Sequence, residues 1–165
     1  MSGLAALYAA LVRIAIAEQL QYRVANAIWM LGAVLEPVVY LVVWSTVARA
    51  QGGSVGDYSV AELAAYFMAV LLVNHLTFNW VMWDFQYRIE TGQLSFQLLR
   101  PVHPLHQDLA ENLGYKLVML VLLVPVTGLL AWGFDPRFAT EPWAVAALAP
   151  VLLLAFALRF IFEWV

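Results

Sequence analysis

Cysteine is absent from the 165 residues, which excludes disulfides, thiolate metal centres and a cysteine nucleophile. The composition therefore carries no mark of the redox compartment. Charge is scarce as well: only 12% of residues are Asp, Glu, Lys or Arg, where soluble domains carry about 25%. The net charge of −3 comes with scattered basic residues, so nothing can track a phosphate backbone and no nucleic-acid partner is expected. Lys116, the one lysine, is not preceded by glycine, so the G-x-x-x-x-G-K-[S/T] loop that cradles phosphates in ATPases is missing. Any ATP-driven work needs a second polypeptide. His-Glu-x-x-His is missing too, which removes the common intramembrane metalloprotease. The start of the chain has no cationic segment leading into an apolar run and a small-residue cleavage site, so the first span is expected to serve as the targeting signal.

What remains is apolar: 64% of the residues are hydrophobic. An integral membrane protein follows, all-α, a polytopic bundle of transmembrane helices forming a single domain over residues 1–165. Residues 4–22 carry apolar side chains at Leu4, Leu7, Leu11 and Ile14, a helical stripe interrupted by Arg13, Gln19 and Gln21. This pattern predicts an interfacial amphipathic helix lying apolar side down. Four spans are expected, over residues 24–47, 61–82, 113–132 and 142–158, each near the ~20 apolar residues a hydrocarbon core requires. Pro37, Pro125 and Pro150 fall inside them and predict kinks. Ser59 and Glu62 have the spacing of a capping box that starts the second span. Pro142 suits the first turn of the fourth, and Lys116 can snorkel from the third.

Polar residues inside the spans are few, so each needs a reason. An ionised Glu36 at mid-depth costs about 2.5 kcal/mol or more unless it is paired, protonated or hydrated, so it must face protein or water. Asn74, His75, Thr77 and Asn79 follow in the second span, with His75 and Asn79 one turn apart on one face. They bond neighbouring helices or, with Glu36, line a polar path for a substrate. From the rise per residue, Glu36 and His75 differ in depth by about 6 Å, which permits a contact. Residues 52–56 match G-x-S-x-G, but the strand and helix a nucleophile elbow needs are not expected around them, so no catalytic residue is assigned. His103 and His106 have a metal-capable spacing, but Pro104 lies between them and no third ligand is fixed, so no metal site is assigned either.

The long polar stretch is residues 84–111, DFQYRIETGQLSFQLLRPVHPLHQDLAE. Gly92 and Pro101 break it, leaving a short amphipathic helix between them. Leu94 and Leu98 share one face and form a narrow apolar ridge, while Gln93 and Gln97 share another and can stay wet. Arg88, Glu90 and Arg100 flank the ridge and can fix a partner's register by charge pairing. With the N-terminus cytoplasmic, Arg13, Arg23, Arg88, Arg100, Lys116 and Arg159 fall inside and only Arg49 and Arg137 outside. That asymmetry places the stretch in the cytoplasm.

The order Glu90, Gly92, Leu94, Leu98, Leu99, Pro101 between two spans resembles the first cytoplasmic loop of type-2 ATP-binding cassette (ABC) exporter permeases. The resemblance implies a coupling helix seated in a cleft of a separate ATPase subunit. It further implies a second permease subunit, identical or different, in a bacterial cytoplasmic membrane. No cofactor is expected in the chain itself, since ATP is bound by the partner. Members of that family usually have six spans, so the resemblance implies that about a third of the permease lies outside this chain. Two readings from other classes remain: a membrane scaffold whose loop binds a soluble partner without transport, and a secondary transporter driven by protonation of Glu36 and His75.

Overall fold

The computed structural model describes residues 3–138 and 140–165. Seven helices carry almost all of it: α1 (Gly3–Gln21), α2 (Arg23–Ala50), α3 (Val60–Thr77), α4 (Val81–Glu90), α5 (Gln93–Leu98), α6 (Pro104–Phe134) and α7 (Pro142–Trp164). A two-stranded hairpin, β1 (Ser54–Val55) and β2 (Tyr58–Ser59), joins α2 to α3. α2, α6 and α7 run on as helix through Pro37, Pro125 and Pro150.

Three of the starts have a local cause. Ser59 Oγ accepts from the Glu62 amide at 3.4 Å, and Glu62 Oε2 accepts from the Ser59 amide at 2.8 Å, closing the expected capping box on α3. Pro104 and Pro142 stand in the first turns of α6 and α7, where a missing amide proton costs nothing. His103 caps α6 by accepting from the Leu105 amide at 3.3 Å. α6 therefore begins nine residues before the span expected at residues 113–132. Likewise α7 runs to Trp164 rather than stopping near residue 158.

Side-chain pairs fix the directions. Tyr40 stacks on Phe67 at 6.1 Å and Trp29 meets Trp80 at 6.5 Å, so α2 and α3 are antiparallel. Lys116 reaches the Phe78 carbonyl, while the Arg137 amide beyond α6 donates to the Ala61 carbonyl at 3.0 Å, so α6 opposes α3. Arg159 meets Thr77 and Trp164 meets Asp108, which returns α7 alongside α3 and against α6. The result is an up-and-down bundle of α2, α3, α6 and α7. Its centre is a small cluster of Met30, Leu71, Met119 and Leu123.

α1 packs along the first half of α6 in the same direction, with Tyr8 at His106 and Ala15 at Gly114. A Cβ added at Gly114 would stand 2.6 Å from Ala15 Cβ and 3.3 Å from its carbonyl carbon, so only glycine admits this approach. The stripe that faces the bundle differs from the expected one. Leu4 and Ile14 are exposed, while Ala15 is buried and Leu7, Tyr8, Leu11 and Val12 are half-buried around it.

Among the described residues, five segments are long and apolar enough to cross a membrane: Gly3–Gln21, Arg23–Ala50, Val60–Glu90, Pro104–Phe134 and Pro142–Trp164. α1 meets this length and composition despite Arg13 and Glu18, one helix more than the four spans expected, and it runs in the same direction as α2 with only Tyr22 between them. The outer faces carry many exposed large apolar side chains, Leu31, Leu35, Val39, Leu153 and Leu154 among them. Such faces suit lipid or further protein, and the chain is a multi-pass membrane protein.

Candidate partner-coupling site

At one end of the bundle the chain leaves α3, passes through α4 and α5, and re-enters along α6. The stretch expected as a loop over residues 84–111 is thus mostly helical. Gly92 makes the corner between α4 and α5 with φ +74, a left-handed conformation that side chains disfavour. The Gln86 amide donates to exposed Glu90 at 2.8 Å, one turn away on α4. Arg100 lies on the exposed turn after α5 and reaches Gln107 only at 3.5 Å, before Pro101 and His103 lead into α6.

Arg88 does not flank an outward ridge as expected; it points inward. Its guanidinium meets Asp108 Oδ1 at 2.6 Å, with the two side chains 7% and 2% exposed. Arg88 also donates to Gln97 Oε1 and to the Asp84 carbonyl, each at 3.2 Å, and lies 5.3 Å over the Phe85 ring. Asp108 Oδ2 accepts from Trp164 Nε1 at 2.9 Å. One buried ion pair therefore ties α4, α5, α6 and the end of α7 together. Gln97, expected to be wet, is the residue that anchors α5 to it. Breaking such a pair by removing one partner costs about 3–5 kcal/mol.

The outward surface of α5 also differs from expectation. Leu94 is half-buried, and the exposed apolar side chains are Phe96 at 72%, Leu98 at 63% and Leu99 at 83%. Phe96 and Leu99 are three apart and share a face. Three large apolar groups thus stand out from a helix of six residues and its C-cap. The missed signal was Phe96, set one turn before Leu99. Asp108 and Trp164 had no local signal, being 20 and 56 residues from the groups they bond.

The expected path residues do not meet. Glu36 is exposed on α2 and makes no hydrogen bond or ion pair among the described residues. His75 is half-buried against α6, with Nε2 3.3 Å from the Lys116 carbonyl and its ring 6.1 Å from that of Tyr115. Asn79 is buried between α3 and α4, its amide donating to the Thr77 carbonyl at 3.3 Å. Lys116 does not snorkel; it is buried, donating to Asn112 Oδ1 at 2.6 Å and to the Phe78 carbonyl. His103 packs its ring on Trp164 at 5.4 Å, whereas His106 pairs with the Tyr8 hydroxyl at 2.7 Å. No group of three or more metal-ligating side chains occurs among the described residues. Ser54 lies in the short β1 strand and leads into a turn, not the helix of a nucleophile elbow.

The fold and this end of it define a multi-pass membrane protein, with a short apolar-tipped helix held out from one end of its bundle. A model of the ABC-2 family transporter proteins matches residues 34–163, most of the chain, and the chain belongs to that family. It is a transport permease, in a family of transporters and not of catalytic enzymes. Neither a curated protein nor a solved structure matches it.

Proposed function

We propose that this chain is the transmembrane subunit of an ABC-type exporter in a bacterial cytoplasmic membrane, with its N-terminus in the cytoplasm. α5 is its coupling helix, received by a cleft in a separate ATPase subunit that binds the ATP. A second permease subunit completes the transporter and covers the exposed α2 face, bringing Glu36 into a substrate path with His75 and Asn79. The observation that carries the reading is the exposed trio Phe96, Leu98 and Leu99. Burying each of these side chains in a partner contributes about 1.5–3 kcal/mol, enough together for stable docking. Glu90 and Arg100, both exposed beside the trio, supply charges of either sign at its rim.

The test is co-purification in mild detergent followed by an ATP-hydrolysis assay of the captured complex. The wild-type chain is expected to retain an ATP-hydrolysing subunit. Leu99→Glu is expected to weaken capture at least 30-fold, since about 2 kcal/mol of burial is lost and a charge must be desolvated, while Leu99→Met retains it. A retained partner without ATP hydrolysis would favour the scaffold reading. Transport that runs on a proton gradient without ATP would refute the ABC reading in favour of secondary transport.

A further inference from the structure

The helix that leads to the coupling segment is broken at a place where its sequence gives no reason to break. α3 ends at Thr77 and α4 begins at Val81, yet the run Asn74-His-Leu-Thr-Phe-Asn-Trp-Val81 contains neither proline nor glycine. Phe78 is extended, with φ −71 and ψ 144, and Trp80 stands at φ −123 and ψ 21. A helix interrupted in this way releases backbone groups and exposes two half-dipoles, negative at the end of α3 and positive at the start of α4.

Charged side chains of the other two helices converge on those groups. The Lys116 ammonium from α6 donates to the Phe78 carbonyl. Arg159 from α7 donates to Thr77 Oγ1 at 2.9 Å, and Glu163 Oε2 accepts from the Val81 amide at 3.0 Å. Each charge has the sign its helix end requires: cations at the end of α3, a carboxylate at the start of α4. Arg159 and Glu163 are the two charged residues of α7, and Lys116 is the one lysine of the chain. Nearly all the charge these helices carry at this depth is therefore spent on three residues of another segment. Beside them Asn79 Oδ1 is buried with no hydrogen-bond partner among the described residues, an acceptor left open at the break.

We propose that residues 78–80 form a joint on which the α4–α5 unit swings relative to α3, held open by Lys116, Arg159 and Glu163. The proposal rests on α5 being the docking helix, because the joint then sets how a push on α5 reaches the spans. Without the three charges the released groups have their cheapest partners within the segment itself, so a continuous helix gains over the broken one. Each residue drawn from extended to helical conformation shortens the path by about 2 Å.

The absence of cysteine makes the test direct, because two introduced cysteines are then the sole labelling sites. Tyr66→Cys on α3 and Tyr87→Cys on α4 are exposed positions on either side of the break. Spin labels there report the distance in the full chain reconstituted in lipid nanodiscs. Lys116→Met and Glu163→Gln are expected to move the distance distribution by about 2–5 Å, while Lys116→Arg preserves it. Arg159→Gln, at an exposed position, is expected to move it in the same sense and decides the matter if the buried variants do not fold. Distributions identical in all the charge-removing variants would overturn the joint. Leu99→Glu keeps the failures apart: it abolishes ATPase capture and leaves the label distance unchanged. A wild-type chain that captures no ATPase while the charge variants still shift would refute the docking reading and leave the joint standing.

Discussion

Removing the Asp108 carboxylate isolates the energetic centre of the coupling end. In Asp108→Ala the Arg88 guanidinium keeps only Gln97 Oε1 and the Asp84 carbonyl as acceptors, in a site where its side chain is 7% exposed. Trp164 Nε1 loses its acceptor in the same step. An uncompensated buried charge costs about 3–5 kcal/mol, and the orphaned indole adds about 1 kcal/mol. Arg88→Met alone strands the carboxylate in turn. The double variant Arg88→Met/Asp108→Leu removes both charges and leaves apolar groups of similar reach, so it is expected to recover most of that loss. The measurement is a double-mutant cycle on the free energy of unfolding of the purified chain in mixed micelles, followed by circular dichroism. A coupling of about 2 kcal/mol or more is expected, with the double variant more stable than either single one. Additive single effects below about 1 kcal/mol each, the range of an exposed ion pair, would refute the claim that this pair is desolvated and holds the helices together.

The other predictions concern the backbone and its close approaches. Gly114→Ala is expected to force α1 off α6 and cost about 1–3 kcal/mol, read as a lowered unfolding midpoint and faster proteolysis within residues 3–21. Gly92→Ala places a side chain at φ +74 and is expected to cost about 1–2 kcal/mol, lowering ATPase capture without changing Leu99 itself. Ser59→Ala is expected to cost about 1 kcal/mol through loss of the cap, with faster amide exchange confined to the first turn of α3.

How far the sequence could be read depended on the range of the interaction responsible. The capping box at Ser59 and Glu62, the proline starts of α6 and α7, and the corner at Gly92 are local features, and the structure bears each of them out. The helical bundle followed from long apolar runs in the same way. What escaped was set by partners distant in sequence. Arg88 reads as a charge that fixes a partner's register because Asp108 lies beyond α5 on α6, and Gln97 reads as wet for the same reason. The break after Thr77 could not be read at all, since its cause is three side chains on α6 and α7. For α1 too, the buried face is set at a distance, by Gly114 on another helix.

The lengths of the helices bear on what lies outside the lipid. α6 has 31 residues, so it is about 46 Å long, against a hydrocarbon core of about 30 Å. Along the bilayer normal, about ten residues project. His106, Gln107, Asp108, Glu111 and Asn112 all fall in its first three turns, so the surplus belongs at the α5 end, where these groups can be hydrated or paired. α4 and this part of α6 then form a short stalk, clamped by Arg88 on Asp108, that carries α5 beyond the membrane surface. A clamp of buried charges is no more stabilising than well-packed leucines would be, but it has one satisfied geometry, because Asp108 must meet Arg88 and Trp164 at once. A push on Leu99 is therefore passed to α6 and α7 through Asp108 and Trp164, and to α3 through the break at residues 78–80.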